Sequence, residues 1–409
     1  MNIMIRYEIK KVFSSTGNKI ALLLLLLALG IVCYFSCNIS YVNELGEKNT
    51  GFAAVKSLQM AQKKWAGILD ENKIRNIIAE NKKITHSKEY LSKNTVENEI
   101  AYSHIQGIEG IRNLFNHSYA LSFQDYNYYR ANDLVETDAP NFYYNRITLL
   151  KKFLKEDGSV QFSKKEKTYL IHQYEILETP FYYDYTKGWS QLFEFAPTMI
   201  MITMLILGYL VAGIFSNEFS WKADAIFFSS IYGRNKASAA KIIAGFCIVS
   251  IIYIISILAY TGITLLYLGI DGWKCPIQIN QWKSFYNITI GKEYLLIFIG
   301  GYLGCLFISF LSMFVSAKTK SAAIAVIIPF VLIFLPSFVS NIQHPMINKI
   351  LGLLPDQLLQ MGTALNYFNL YSIAGKIIGA IPILLTIYTL LTLLLLPIIY
   401  QLYRHKKMD

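Results

Sequence analysis

The side chains that most often catalyse reactions or bind metals are sparse in this 409-residue chain. No His-Glu-x-x-His motif or paired-carboxylate motif lies in or beside an apolar segment, which argues against an intramembrane metalloprotease. The six histidines are all isolated from one another: His86, His104, His117, His172, His344 and His405. Because lone histidines are mostly surface residues, we expect no catalytic residue and no metal ligand in this chain.

The chain also lacks a phosphate-binding loop of the form Gly-x-x-x-x-Gly-Lys-Ser/Thr. Its two Gly-Lys pairs, Gly291-Lys292 and Gly375-Lys376, lack both the upstream glycine and the following hydroxyl residue. We therefore predict that the chain is not an enzyme, does not hydrolyse ATP and holds no cofactor of its own.

Cysteine usage gives a hint about the compartment. Cys33 and Cys37 are four residues apart, but two thiols are too few for a zinc site, so we interpret them as small apolar residues. Residues 41–195 contain no cysteine at all. If that region is external, it suggests a bacterial surface where disulfides are not relied upon, as in Gram-positive organisms.

Six uncharged apolar segments are each long enough to cross a bilayer, which needs about 20 residues. They span residues 20–40, 196–215, 242–268, 294–317, 321–340 and 377–400. A composition of 54% hydrophobic residues and a mean hydropathy of +0.36 also indicate a polytopic membrane protein. We interpret the first segment as a retained helix, not a cleaved signal peptide. Since pumps and ion-coupled carriers use ionisable groups inside the membrane, these segments favour a protein powered by a partner.

The distribution of charge predicts the orientation. Residues 41–195 carry equal numbers of acidic and basic residues, so the net charge of +11 belongs to the remainder. With both termini in the cytoplasm, the short inner segments carry most of this excess, as the positive-inside rule requires. Residues 41–195 then form an extracellular domain, and the 401–409 tail is cytoplasmic.

Three further segments have recognisable patterns. Residues 1–19 mix apolar and basic positions, which indicates an amphipathic elbow helix on the inner leaflet or simply a topology signal. The 41–195 domain reads as mainly helical, with helical spacing from Val55 to Leu69 and a capping box from Ser163 to Glu166. Residues 341–376 alternate short apolar stretches with Pro355-Asp356, which predicts short re-entrant or interfacial helices.

The cytoplasmic segment 216–241 is too polar to span a membrane and too apolar for a free loop. Trp221, Ala225, Phe228 and Tyr232 lie three or four residues apart, which predicts one aromatic helix face. Such a helix with basic flanks suits a groove on a partner protein, or it could lie flat on the inner leaflet. In the span 294–317, Gly300 and Gly304 form a Gly-x-x-x-Gly pair that serves helix packing within the chain or a dimer seam.

The order of these parts resembles the ABC transporter type-2 permeases. In that family a leading Glu opens the cytoplasmic helix after span two, and an Arg and then a Lys precede span three. Glu218, Arg234 and Lys241 match these positions, and Phe227-Phe228-Ser229-Ser230 replaces Leu-Leu-Ser-Thr. Lys222 stands where the family has Gly, and Ile231 where it has Pro. The resemblance covers the membrane part of the chain and not residues 41–195.

The resemblance implies an all-α polytopic membrane protein with six transmembrane helices and a mainly helical extracellular domain. It implies a permease that exports or expels an amphiphilic cargo (a lipid, a glycan or an antimicrobial peptide). The expected partners are a separate ATPase subunit that holds ATP and Mg²⁺, a second permease copy or paralogue, and membrane lipid, but no nucleic acid. The residues implied to couple the permease to its ATPase are Glu218, Trp221, Phe228, Ser229, Tyr232 and Arg234. The alternative is a membrane-anchored sensor, scaffold or mechanotransmission protein whose 41–195 domain binds a ligand or partner.

Overall fold

A computed structural model describes residues 1–156, 161–339 and 345–405 of the chain. The described residues are mainly helical, and their strands form three separate two-stranded antiparallel pairs. The helices are α1 (Asn2–Ser14), α2 (Thr16–Ser36), α3 (Gly51–Lys63), α4 (Glu71–Thr85), α5 (Lys88–Leu91), α6 (Thr95–Ile105), α7 (Glu109–Ser118), α8 (Phe142–Lys155), α9 (Lys164–Glu175), α10 (Lys187–Ser220), α11 (Asp224–Ser229), α12 (Ser238–Leu268), α13 (Ile290–Thr319), α14 (Ala322–Val339), α15 (Pro345–Leu351), α16 (Met361–Ala364) and α17 (Ala380–Arg404). The strands are β1 (Ser40–Val42), β2 (Lys48–Thr50), β3 (Gly67–Ile68), β4 (Tyr182–Tyr183), β5 (Leu370–Ile373) and β6 (Lys376–Gly379).

Five helices in the described part of the chain are long and apolar enough to cross a membrane, namely α2, α10, α12, α13 and α17. The chain is therefore an α-helical, multi-pass membrane protein. The segment predicted as a fifth span forms α14, whose apolar part is shorter and contains Pro329 and Pro336. The last residue predicted for that span, Ser340, lies outside the described residues.

Helices α10, α12 and α13 extend past the predicted apolar segments at one or both ends, whereas α2 ends four residues before position 40 and α17 begins three residues after position 377. For example, α10 begins at Lys187 and ends at Ser220, and so includes Glu194 and Glu218. Likewise α12 includes Lys241 and α13 includes Glu293. Backbone hydrogen bonding carries the helices on through these turns, so charged residues that border the apolar segments become parts of the bundle.

Helix α10 lies at the centre of the bundle and packs against α2, α12, α13 and α14. At one end of the bundle, which we call the basic end, α1 meets the last turn of α10 and the first turn of α12, and the end of α17 packs against α10 beside them. At the opposite end, the insert end, the Trp189 indole at the start of α10 donates to the Ile270 carbonyl oxygen at 3.1 Å. Residues 41–186, which we call the insert, lie at that end.

The insert is mainly helical and packs directly on the bundle. Its α9 begins with the predicted capping box, because Ser163 and Glu166 each accept from the other's backbone N–H. The helical pattern predicted from Val55 to Leu69 is partly wrong, since α3 ends at Lys63 and β3 follows. The Asp157-Gly158 pair, which is typical of a turn, lies outside the described residues.

One buried arginine shows how firmly the insert is attached. Arg146 of α8 is 3% exposed and donates to the carbonyl oxygens of Trp282 and Ser284, at 3.1 and 2.7 Å. Its guanidinium lies 3.7 Å from the centre of the Tyr174 ring, a cation–π contact. The insert and the 269–289 connection between α12 and α13 therefore share one core.

The 345–379 segment folds back against the bundle. After α15, a 3₁₀ turn (Pro355–Leu358) and α16 pack along α13, with Leu358 and Met361 fully buried. Leu358 reaches Gly304, which is 14 residues into α13 and so about 21 Å along its axis. The hairpin β5–β6, which the sequence pattern did not reveal, turns at Ala374 and Gly375, both with positive φ.

Candidate functional site

Four charged side chains from three helices meet at the basic end, and we call them the ionic cluster. Lys241 of α12 is fully buried, and its ammonium donates to Glu218 Oε1 at 2.7 Å and to Glu8 Oε2 at 3.1 Å. Its third donor goes to the Ile214 carbonyl oxygen at 2.8 Å. Lys11 of α1 also pairs with Glu218. The two cations balance the two carboxylates, so the cluster carries no net charge.

This cluster joins α1 to the bundle. Glu8 and Lys11 lie one turn apart on α1, so both point to the same side of that helix. Val12 on the same helix is buried. The N-terminal helix is therefore held by ion pairs and an apolar contact, beyond what an amphipathic surface helix needs.

An aromatic cluster lies beside the ionic one, built around Tyr403 of α17. The Tyr403 ring contacts Phe215 of α10 at 4.6 Å between centroids, and Phe228 of α11 at 5.1 Å. The Arg234 guanidinium lies 5.1 Å from the centre of the Phe228 ring, and its Nη1 donates to the Arg404 carbonyl oxygen at 3.1 Å. The 221–237 segment is thereby fastened to α10 and α17.

The single aromatic helix face predicted for this segment is wrong in its geometry. Helix α11 spans only Asp224–Ser229; Trp221 precedes it and Tyr232 follows it. Phe228 is 4% exposed and faces the protein, whereas Ile226 and Ile231 are 77% and 87% exposed. Lys222, with φ of 53°, interrupts the helix before α11 starts.

The remaining coupling candidates are at the surface. Trp221 is exposed and has the Lys11 ammonium 4.8 Å from its ring centre. Tyr232 is exposed beside Lys236, with 4.4 Å between the ammonium and the ring centre. The Ser229 hydroxyl donates to the Ile226 carbonyl oxygen at 3.1 Å, an ordinary contact within a helix.

In the sequence, Gly233 follows Tyr232 in the position of a helix C-cap, but it does not end a helix in the structure. It begins a short π-helical turn, Gly233–Ala237, that leads into α12. A Cβ atom at this position would lie 1.8 Å from the Phe227 carbonyl oxygen, so only glycine fits here. This close approach folds the segment back on α11.

Gly300 and Gly304 serve packing within the chain. A Cβ at Gly300 would lie 2.6 Å from Met361 Cγ, and one at Gly304 would lie 2.6 Å from Met204 Cε. Both positions are thus covered by this chain's own side chains. The structure therefore favours the packing interpretation of these two glycines, because both are buried within this chain.

At the insert end, a cavity of about 510 Å³ lies between the insert and the bundle, and we call it the vestibule. The insert contributes Glu109, Asn113 and His117 of α7, and the bundle contributes Lys187 and Phe193 of α10. The cavity therefore offers an acid, a base, an amide and aromatic surface within one enclosure. Its volume lies in the range of small-molecule sites.

Burial alters the titration of two groups in the vestibule. It lowers the pKa of His117 to about 4, with a smaller contribution from the Lys283 charge, so this imidazole is neutral at pH 7. Its Nδ1 is buried and has no hydrogen-bond partner among the described residues. Burial also raises the pKa of Glu109, against the opposing charges of Lys187 and Arg112. Both shifts disfavour charge, which suits a site that receives a ligand's polar groups.

Sequence reasoning missed Glu8, Lys11 and Tyr403. A signal existed for the first two: they are the opposite charges on α1 at the same end of the bundle as Glu218 and Lys241. Nothing in the sequence singled out Tyr403 from the other 28 tyrosines. Comparisons of the chain with known protein families, characterised proteins and solved structures found no match.

Proposed function

We propose that this chain is the membrane-spanning permease subunit of an ABC transporter, moving an amphiphilic cargo outward with ATP hydrolysed by a separate subunit. The observation that carries the proposal is the attachment of the 221–237 segment to the bundle. Motion of this segment would reach α17 through the contact of Phe228 with Tyr403, α10 through the contact of Phe228 with Phe219, and α12 through the Gly233–Ala237 turn that leads into it. In the proposed topology, α14 is a sixth span, both termini are cytoplasmic and the insert is extracellular.

The docking surface we assign to the ATPase subunit consists of Ile226 and Ile231, flanked by Trp221 and Tyr232. Isolated exposed apolar residues are common, but these four lie within 12 residues of one another on a non-spanning segment. Apolar and aromatic anchors surrounded by polar groups are typical of protein interfaces. Phe228 keeps a coupling role in this proposal, but as an internal link to Tyr403 and not as a contact with the partner.

The test is co-purification with the ATPase subunit encoded nearest to this chain. Ile226→Asp combined with Ile231→Asp should abolish co-purification, because two desolvated anchors worth about 2 kcal/mol each correspond to a loss of roughly 1,000-fold in affinity. The matched control is Ile270→Asp, the same change at a 64% exposed isoleucine of the insert end, which should leave co-purification intact.

Two results would contradict the proposal. One is undiminished co-purification of the double variant when its abundance in the membrane equals that of the native chain. The other is ATP hydrolysis by the purified chain alone, shown by mass spectrometry to be free of other proteins. Either would break the link between the 221–237 segment and a separate ATPase.

A second function, ligand sensing with force transmission across the membrane, is favoured by one observation. The vestibule is walled on one side by the insert and on the other by α10, so a ligand there touches both. Because α10 also carries Glu218 of the ionic cluster, one helix links the two sites. Ligand-dependent changes at the basic end without any cargo movement would favour this second function.

A further inference from the structure

A second cavity of about 180 Å³ lies deeper in the bundle than the vestibule, and we call it the acidic cavity. It shares Phe193 and Gln281 with the vestibule, so the two cavities adjoin. Its walls come from α10, from the first turns of α13 and from the residues around α16. It therefore lies where the 345–379 segment enters the bundle.

The acidic cavity contains a buried carboxylate with an unfilled oxygen. Glu293 is completely buried, and its Oε1 accepts from Gln281 Nε2 at 2.6 Å. Its Oε2 is buried with no hydrogen-bond partner among the described residues, and so is Gln281 Oε1. Gln281 is fixed in this orientation because its Nε2 also donates to the Gly362 carbonyl oxygen at 3.2 Å. Two acceptors, one of them on a carboxylate, therefore lack donors.

A buried acceptor without a donor is costly, so this arrangement favours a ligand that donates hydrogen bonds, and a positive charge on that ligand would stabilise the ionised form of Glu293. The charges of the described residues do not supply one, since Glu293 forms no ion pair with them. The second carboxylate at the cavity, Glu194, is exposed and lies at its rim. Position in the first turn of α13 favours a carboxylate there, but that does not account for the unfilled Gln281 oxygen.

The chemistry of the walls selects among cations. Among the described residues there is no group of three or more His, Cys, Asp or Glu side chains that could hold a metal, and Ca²⁺ takes six to eight oxygens. Pro197, Ile297 and Leu359 supply apolar wall in the same cavity. Apolar wall beside two acceptors matches an alkylammonium group, whose –NH₃⁺ has three donors on a hydrocarbon stem.

We propose that the acidic cavity binds the primary alkylammonium group of an organic ligand, with Glu293 Oε2 and Gln281 Oε1 as its acceptors. The remainder of the ligand would lie in the adjoining vestibule. The identification of this ligand as the transported cargo rests on the proposed function. The binding site itself is proposed independently of that function.

The test uses the full chain in lipid nanodiscs without any ATPase, so its outcome is independent of the permease proposal. Binding of radiolabelled n-butylammonium is measured by scintillation proximity, with n-butanol as the neutral competitor. We expect saturable binding that n-butanol does not displace. Glu293→Gln should weaken it by on the order of 10- to 100-fold, the value of a charge-assisted hydrogen bond. Glu178→Gln, the same change at an exposed glutamate that lines neither cavity, should change it by less than about threefold.

Gln281→Leu provides a second test that leaves the carboxylate in place, with an expected weakening of about tenfold. If size-exclusion chromatography shows that Glu293→Gln does not fold, the affinity of Gln281→Leu tests the proposal in its place. Absence of saturable butylammonium binding to the native chain would overturn the proposal. So would equal affinity of the native chain and a folded Glu293→Gln variant, or effective competition by n-butanol.

Discussion

Replacing Lys241 by methionine removes the one fully buried cation of the ionic cluster. At an effective dielectric constant of about 20, each of its two ion pairs, at 2.7 and 3.1 Å, contributes roughly 5 to 6 kcal/mol of attraction. Desolvating the charges cancels much of this attraction while the cluster is complete. After the substitution, Glu8 and Glu218 face only Lys11, and one buried negative charge is uncompensated. We therefore expect a loss of about 3 to 5 kcal/mol in the free energy of unfolding.

A double variant separates this charge effect from the loss of packing. Lys241→Met with Glu218→Gln leaves Glu8 and Lys11 as a balanced pair, so it should lie within about 2 kcal/mol of the native chain. The remaining deficit includes the lost hydrogen bond to the Ile214 carbonyl oxygen, about 1 kcal/mol. Lys10→Met, the same change at an exposed lysine of α1, should cost less than about 0.5 kcal/mol.

The assay is steric trapping in bicelles, which gives the free energy of unfolding of a membrane protein without denaturant. If Lys241→Met costs less than about 1 kcal/mol, the cluster is hydrated and the reasoning from burial fails. If the double variant is as unstable as the sum of the two single variants, the residues do not interact in the folded protein.

Three more predictions concern other parts of the molecule. Gly233→Ala should make the 221–237 segment more sensitive to added protease, because the new Cβ would collide with the Phe227 carbonyl oxygen. Gly300→Val should lower the free energy of unfolding by about 1 to 3 kcal/mol through overpacking against Met361, with no change in oligomeric state by light scattering; a shift in that state would favour a dimer seam. His117 has a folded-state pKa of about 4 against an ordinary value of 6.5, so its neutral form stabilises the fold at pH 6.5 and above. That stability is lost as the pH falls from 6.5 towards 4, so the free energy of unfolding should depend less on pH in the His117→Gln variant than in the native chain across that interval. The same pH dependence in both proteins would contradict the pKa shift.

The membrane character of the chain follows from its sequence alone. Five of the six predicted apolar segments form helices that can span a bilayer, since a bilayer leaves a long apolar segment few alternatives to a helix. The capping box of α9 was predictable for a similar reason, because its two hydrogen bonds join residues three positions apart. Patterns formed by residues close together in the sequence can therefore be recognised without the tertiary structure.

The tertiary structure decided how residues distant in sequence meet. Lys11 and Glu218 are 207 positions apart, and no periodicity relates them. The helical pattern that included Phe228 did not reveal that Tyr403, at the far end of the chain, would cover it. The 345–379 segment likewise brings Met361 onto Gly300 and encloses Glu293. The sequence patterns of this segment and of α13 do not indicate that the two are in contact. Spans and caps depend on neighbours along the chain and can be predicted from it, whereas the ionic cluster and both cavities depend on packing between helices.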